Sequence, residues 1–382
     1  MHTRYALPAL LGILLAFTVQ AQDERPFSVE PITSFDEPWT LTFLPDGRML
    51  VTEKKGNLRV VTQAGQQSGP VEGLPDVDYR GQGGLGDVIL HPDYADNGII
   101  YLSYAESGIG DVRGAAVMRA VLELGERGGR LSDAEVIWRQ YPKVLDDGHY
   151  GHRLAFDDEG YLWISSGDRQ KFTPAQDMQS NLGKILRLEE DGSIPSDNPF
   201  VNYFEEEALV DGVGPYNEIW TLGHRNPLGM AFDADGQLWA IEMGPAGGDE
   251  LNRIVRGANY GYPVVSNGDH YDGRDIPDHD TRPEFTEPVI SWTPVISPGD
   301  LMIYGGELFE DWRGDAFAAG LSSQAIVRIR FDGDNAAELE RYDMGARIRS
   351  IEEAPDGSIW VLEDERGESQ GRLLKLTPQD LP

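Results

Sequence analysis

A few short stretches of this sequence concentrate the residue types that do chemistry. They are Gln82 in "RGQGGLGD", His149 and Arg153 in "DDGHYGHRLAF", Arg225 and Asn226 in "GHRNP", and Arg347 and Arg349 in "GARIRSI". The run "EMGPAGGDELN" adds Asp249 and Glu250. Imidazole exchanges a proton near neutral pH. Guanidinium groups grip carboxylates with planar, two-point contacts. Neighbouring acids attract cations through oxygen ligands. Taken singly, each residue has a plainer explanation. His149 suits a surface turn, and His152, two residues from a strand, suits a structural or solvated position. Arg347 and Arg349 alternate with Ile348 and Ser350, as on an exposed strand face, with Asp343 and Glu352 near enough in sequence to pair with them. Asp249 and Glu250 fit solvent-facing acids of an acidic chain. What joins these residues is position: nearly all lie just before the inner strand pair of a repeat.

That repeat is a phrase of apolar pair, Asp/Gly turn and apolar alternation. It reads "LTFLPDGRMLVTE" from Leu41, "VILHPDYADNGIIYLSYA" from Val88 and "LAFDDEGYLWISSGD" from Leu154. It returns as "MAFDADGQLWAIEMG" from Met230 and "IEEAPDGSIWVLED" from Ile351, with a weaker copy, "GGELFEDWRGDAFAAGL", from Gly305. Each unit spells two short strands around a tight turn. Further strand-like runs, such as "NLRVVTQ" and "AIVRIRF", lie between the units. Four strands per unit and six units predict an all-β six-bladed propeller with long loops on one face. Helical periodicity is nearly absent, and 45 Gly with 24 Pro suit a turn-rich β chain. The longest insertion runs from Tyr260 to Pro298 and reads as a rim over the central channel, because loops of that length are usually functional. Loops from every blade converge on one face, so residues distant in sequence meet there.

Composition narrows the chemistry. The 382 residues contain no cysteine, which excludes thiolate metal sites, cysteine nucleophiles and disulfides. A net charge of −33 argues against nucleic acid or an anionic membrane surface as partner. Residues 1–21 read as a secretory signal: Arg4, an apolar stretch from Ala6 to Val19, and the small-residue pattern Val19-Gln20-Ala21. The apolar run is shorter than the ~20 residues of a membrane span. The expected mature protein, residues 22–382, is a single propeller domain, periplasmic or secreted.

The runs "GQGGLGDVILHPDY", "GHYGHRLAF", "LGKILRLEEDGSIPSDNPF", "LGHRNPLGMAF", "MGPAGGDELNRIVRGANYGYP" and "RIRSIEEAPDG" occur in that order. Over essentially the whole mature chain they resemble the soluble aldose sugar dehydrogenases, six-bladed propellers that use pyrroloquinoline quinone (PQQ) and calcium. The resemblance implies that His149 is the general base, taking the proton of a sugar's anomeric hydroxyl. It implies that Arg225 faces the quinone, where a fixed positive charge stabilises oxyanion character. Gln82, Asn226, Tyr271, Arg347 and Arg349 match cofactor contacts, the last two holding its carboxylates. Backbone carbonyls of Gly244 and Pro245 match those around a calcium that touches PQQ. Asp249, Glu250 and Tyr260 match a second, structural calcium site. The implied partners are an aldose and an external electron acceptor, with the chain a monomer or homodimer.

Two positions depart from the family's pattern. Ser322 stands where a lysine usually helps bind the quinone, and Gly148 where Asp or Asn precedes the histidine. The first removes a cation from the pocket. The second removes an orienter of His149, with Asp146 and Asp147 close in sequence. Two other functions suit the same fold. A calcium-dependent lactone or ester hydrolase would use Glu242 and Asp249 as carboxylate ligands, and a non-catalytic binding propeller would not need His149 and the arginine pair together.

Overall fold

The computed structural model describes residues 25–125, 128–201, 203 and 215–379; the signal segment, residues 1–21, lies outside them. Six four-stranded antiparallel sheets form the blades, with one two-stranded ribbon, Ala246–Gly247 paired with Gly268–Asp269. From the inside outward the first blade is Pro38–Phe43, Met49–Glu53, Asn57–Val61 and Gln67–Pro70. The third is Gly151–Phe156, Leu162–Ser166, Lys184–Leu188 and Ile219–Leu222. The fourth is Pro227–Phe232, Leu238–Glu242, Asp249–Arg253 and Ile290–Trp292. Innermost strands of neighbouring blades touch all round, from the first blade to the sixth and back to the first. The propeller is therefore closed.

Each clean copy of the repeated phrase forms the two inner strands of a blade. In the third and fourth blades the turn aspartate explains the phrase. Asp157 accepts hydrogen bonds from the backbone of Glu159 and Tyr161 and, through Oδ2, from Trp163 Nε1 at 2.8 Å. Asp233 repeats this with Asp235, Gln237 and Trp239. Gly160 and Gly236 sit at φ 89° and 79°, a backbone region that favours glycine. The second strand of each of these blades is buried along all five residues, because sheets pack on both of its faces. Each gap between neighbouring blades is filled by its own apolar cluster, such as Leu41, Met49, Trp360 and Leu362 between the sixth blade and the first. A fully buried side chain of this size contributes about 1.5–3 kcal/mol, so the blades are held by packing without disulfides.

Two features differ from the sequence reading. The inner pair of the fifth blade is Pro298–Ile303 with Ala316–Gly320, so its first strand precedes Gly305 rather than starting there. The sixth blade takes its outermost strand from the other end of the chain: Phe27–Ser34 pairs with Arg372–Pro378. The Tyr260–Pro298 insertion also supplies the outermost strand of the fourth blade, Ile290–Trp292.

One irregularity recurs six times and accounts for two of the polar residues, Arg153 and Arg349. Every innermost strand has a register shift near its start, between Pro38/Leu41, Leu85/Val88, Gly151/Leu154, Pro227/Gly229, Pro298/Asp300 and Ile348/Ser350. Such bulges re-aim side chains out of the sheet. The residues they release include Trp39, Asp87, His152, Arg153, Leu228 and Arg349. These ring the mouth and core of the channel.

Candidate active site

Of these residues, Arg153 fills the core of the channel. Its guanidinium lies 3.2 Å from Asp87 and 3.2 Å from Asp300, donates to the Leu228 and Gly299 carbonyls, and covers the Trp39 ring at 4.5 Å. A cation supplied by the chain itself thus sits between the channel carboxylates. Above it opens a cavity of about 360 Å³ whose lining includes Gln82, Asn226, Arg347, Arg349 and Lys54. An adjoining cavity of about 240 Å³ is lined by His149, Arg225, Pro245, Tyr271 and Phe172. The two are linked directly, since the His149 backbone N–H donates to Gln82 Oε1 at 2.8 Å.

His149 is buried and held at φ 50°. Its Nδ1 donates to Asp168 Oδ1 at 2.7 Å, and Asp168 is wholly buried. Asp168 also accepts from the backbone N–H groups of Gln170 and Phe172. That fixes the ring tautomer and leaves Nε2 as the free, basic nitrogen. Burial lowers the His149 pKa below its ordinary value, with the Arg225 charge acting the same way and Asp168 opposing both. The imidazole is therefore neutral near pH 7, as a base requires. The orienter is Asp168, not Asp146 or Asp147: Asp146 pairs with Lys171, and the Asp147 carbonyl accepts from Gln82. At Gly148 an added Cβ would lie 2.6 Å from the Gln170 side chain, so Gln170 fills the space an Asp or Asn would need.

Glu242 builds the other half of the site. It accepts from His224 Nδ1 and Asn252 Nδ2 through Oε1 and from the backbone N–H groups of Arg225 and Asn226 through Oε2. With four donors on two oxygens, it is spent on shaping the "HRN" turn. Asp249 is spent likewise, accepting from the Gly244 and Ser297 backbone at 2.8 and 2.6 Å. Neither carboxylate is free in the way the hydrolase alternative needs. The Asn226 side chain accepts from Gly151 N–H at 3.1 Å. Arg225 Nη1 donates to the Met243 and Gly244 carbonyls at 3.0 and 2.7 Å, and Nη2 to the exposed Tyr271 hydroxyl at 3.2 Å. Its Nε–H is buried without a partner. Arg225 itself lines the smaller cavity, and a charged side chain with a donor to spare favours an oxygen acceptor nearby.

Arg347, just before the Ile348–Glu353 strand, and Arg349, in its bulge, share one partner, which is neither Asp343 nor Glu352. Both donate to Asp364 Oδ2, at 3.1 Å each. Burial works against ionisation of Asp364, yet Arg349 and Arg347 hold its pKa below the usual value. One carboxylate between two guanidinium groups leaves donors over. Ser322 is exposed, and its hydroxyl donates to the Val295 carbonyl.

With this geometry in place, the comparisons with known proteins decide the family. Residues 35–375 match the family model described as glucose/sorbosone dehydrogenase. The chain is 38% identical over 353 residues to the aldose sugar dehydrogenase YliI of Escherichia coli, covering 90% of this chain and 91% of that one. Its fold superposes on the crystal structure of the soluble E. coli aldose sugar dehydrogenase in the apo form with a TM-score of 0.83 at 37% identity, covering 92% and 100% of the two chains. On the PQQ-bound aldose sugar dehydrogenase of Streptomyces coelicolor it superposes with a TM-score of 0.72 at 25% identity, covering 92% and 98%. The chain belongs to the glucose/sorbosone dehydrogenase family.

For a glucose/sorbosone dehydrogenase the site has two candidate oxygen cradles. The Gly244 carbonyl accepts from the Arg225 guanidinium, so it already holds a cation, and the Pro245 carbonyl beside it accepts from Gly247 N–H at 3.1 Å. The second lies on the Asp249–Arg253 strand. Successive strand residues face opposite ways, and Glu250 turns from Asp249 toward Glu242 and Asn252. Among the described residues no three His, Asp or Glu side chains form a metal cage. The donors there are mixed: the buried Glu250 carboxylate, the partnerless Asn252 Oδ1 and the Tyr260 carbonyl, which His279 Nε2 approaches at 3.0 Å. Burial and the neighbouring Glu242 push the Glu250 pKa well up. Buried like charges with an orphaned oxygen beside them fit an oxygen-seeking dication such as calcium.

The residues that sequence reasoning missed share one position. Lys54, Asp168, Met243 and Asp364 each follow the second strand of a blade. In an antiparallel pair that end lies beside the start of the inner strand, so the signal was the same repeat read one strand later.

Proposed function

We propose that this chain is an exported, PQQ- and calcium-dependent enzyme that oxidises the anomeric hydroxyl of an aldose to the lactone. The observation that carries the reading is the buried His149–Asp168 pair, opening beside Arg225 on cavities walled by Gln82, Asn226, Arg347 and Arg349. When bound, PQQ would supply the acceptor for the hydride of the anomeric carbon, and calcium would supply a Lewis acid. His149 takes the hydroxyl proton at Nε2, so one proton and one hydride leave the sugar together. Asp168 keeps Nδ1 protonated and stabilises the imidazolium that forms. Arg225 holds a fixed positive charge beside the reacting carbon, and Arg347 and Arg349 anchor carboxylates. Phe172 offers the sugar an apolar face at the outer rim, and Tyr271, in the same lining, is a cofactor contact. Gly244 and Pro245 would hold the catalytic calcium; Glu250 and Tyr260, with Asp249 bracing the turn, would hold the structural one. Export rests on residues 1–21, and the electron acceptor lies outside the chain. Among the described residues no helix is long and apolar enough to cross a membrane.

The test is reconstitution. Purified protein mixed with PQQ and calcium is expected to give a shifted quinone absorption that an aldose bleaches, with reduction of an added dye. No spectral change on mixing would overturn the reading.

Calcium carries a separate expectation. A ligand bound only by the native state stabilises it by about 2.7 kcal/mol at a hundredfold excess over Kd. A strong chelator is therefore expected to lower the melting temperature of the PQQ-free protein by several degrees, and readdition of calcium to restore it. An unchanged melting curve would remove the site at Glu250 and Tyr260.

A further inference from the structure

The larger cavity holds more positive charge than the residues expected from the sequence supply. Lys54 follows the second strand of the first blade, and its side chain joins Arg347, Arg349 and Arg366 in the lining. The acids in that lining are Glu37, Asp364 and Glu365, and Asp364 is already shared by two arginines. An ammonium has three donors to satisfy. The hydrogen bond of Lys54 to the Gly81 carbonyl is long, at 3.4 Å, and the Glu37 carboxylate stands 3.8 Å away. Its side chain is 19% exposed, so the stem is enclosed while the ammonium stands at the cavity's open edge. Burial lowers the Lys54 pKa; Arg349 and Arg366 add repulsion, and Glu37 and Asp364 oppose them. Cations crowded round a partly enclosed space, one of them weakly partnered, define a cradle for a polyanion.

We propose that Lys54 is a further cofactor-binding residue, an ammonium that pairs with a carboxylate of the bound polycarboxylate quinone. It reaches the same ligand as Arg347 and Arg349 from the neighbouring blade, so three cations line one side of the channel mouth. This rests on the PQQ reading of the cavity. It also makes the serine at position 322 intelligible, since the cation comes from elsewhere.

The experiment titrates PQQ onto the purified, calcium-loaded protein and follows quenching of tryptophan fluorescence; Trp39 lines the cavity and serves as reporter. A charge-assisted hydrogen bond is worth a change of roughly 10- to 150-fold in affinity. Lys54→Met is expected to weaken PQQ binding within that range, and to flatten the dependence of affinity on salt. Lys54→Arg is expected to retain most of the affinity. Should the methionine variant fail to fold, as its melting curve would show, Lys54→Gln carries the same comparison. Quenching of the parent and of Lys54→Met at equal PQQ concentrations would overturn the proposal while leaving the cofactor reading intact. Absence of quenching in the parent would overturn the cofactor reading itself, and this proposal with it.

Discussion

Replacing His149 with Gln leaves PQQ binding close to the parent value while aldose-dependent dye reduction falls by about 100-fold or more. The magnitude is that of a positioned general base. The backbone N–H of residue 149 donates to Gln82 whatever the side chain is, so this link between the two cavities survives the change. Asp168 keeps its two backbone donors, Gln170 and Phe172, and the glutamine amide reaches toward the vacated Nδ1 position. What is lost is a basic nitrogen. Turnover and affinity measured on the same preparation separate the two effects: lower turnover at parental affinity assigns the base. Parental turnover in this variant would sink the assignment.

Much of the architecture was legible because one phrase encodes it. The Asp/Gly turn with its tryptophan, as at Asp157, Gly160 and Trp163, solves a local problem within a dozen residues, so it reads from the sequence directly. The fifth blade blurred because "LMIYGGELFEDWRG" puts a longer connection with a short 3-10 turn, Glu310–Trp312, between its inner strands. The closure of the sixth blade was not legible at all. Phe27–Ser34 meets a strand at the far end of the chain, and no local pattern records such a partner. The site divides in the same way. The polar residues released by the inner-strand bulges, such as Arg153 and Arg349, were visible as breaks before an apolar run. Their partners were not, because His149–Asp168 and Arg349–Asp364 pair residues from two strands of one blade, and proximity in sequence pointed to Asp147 and Glu352 instead. Glu242 looked like a metal ligand from its type alone; only its four donors show that it shapes the turn below Arg225 and Asn226.

Asp168→Asn tests the partner that the sequence concealed. The carboxylate accepts from three N–H groups, His149 Nδ1, Gln170 N and Phe172 N. An amide has one oxygen to offer and two hydrogens to place. If its oxygen takes the Oδ2 place that accepts from Phe172 N, its NH2 takes the Oδ1 place, loses the Gln170 N–H, faces His149 Nδ1 and favours the tautomer with the proton on Nε2. That nitrogen is then no longer a base. Loss of the right tautomer and of the charge opposite the imidazolium lowers turnover by about 100- to 10,000-fold, the range seen for general bases and their orienting carboxylates. The pH profile supplies a second, independent readout. Burial already lowers the His149 pKa from 6.5, and Asp168 is a group that raises it. The neutral imidazole is the active form, so the acid limb of kcat/KM in the parent falls below pH 6.5. With the Asp168 charge gone, protonation becomes harder still, and the limb of the residual activity moves to lower pH. A purely structural role would lower melting temperature and activity without moving that limb. An Asp168→Asn enzyme with parental turnover and an unshifted acid limb would show that His149 is oriented by something else.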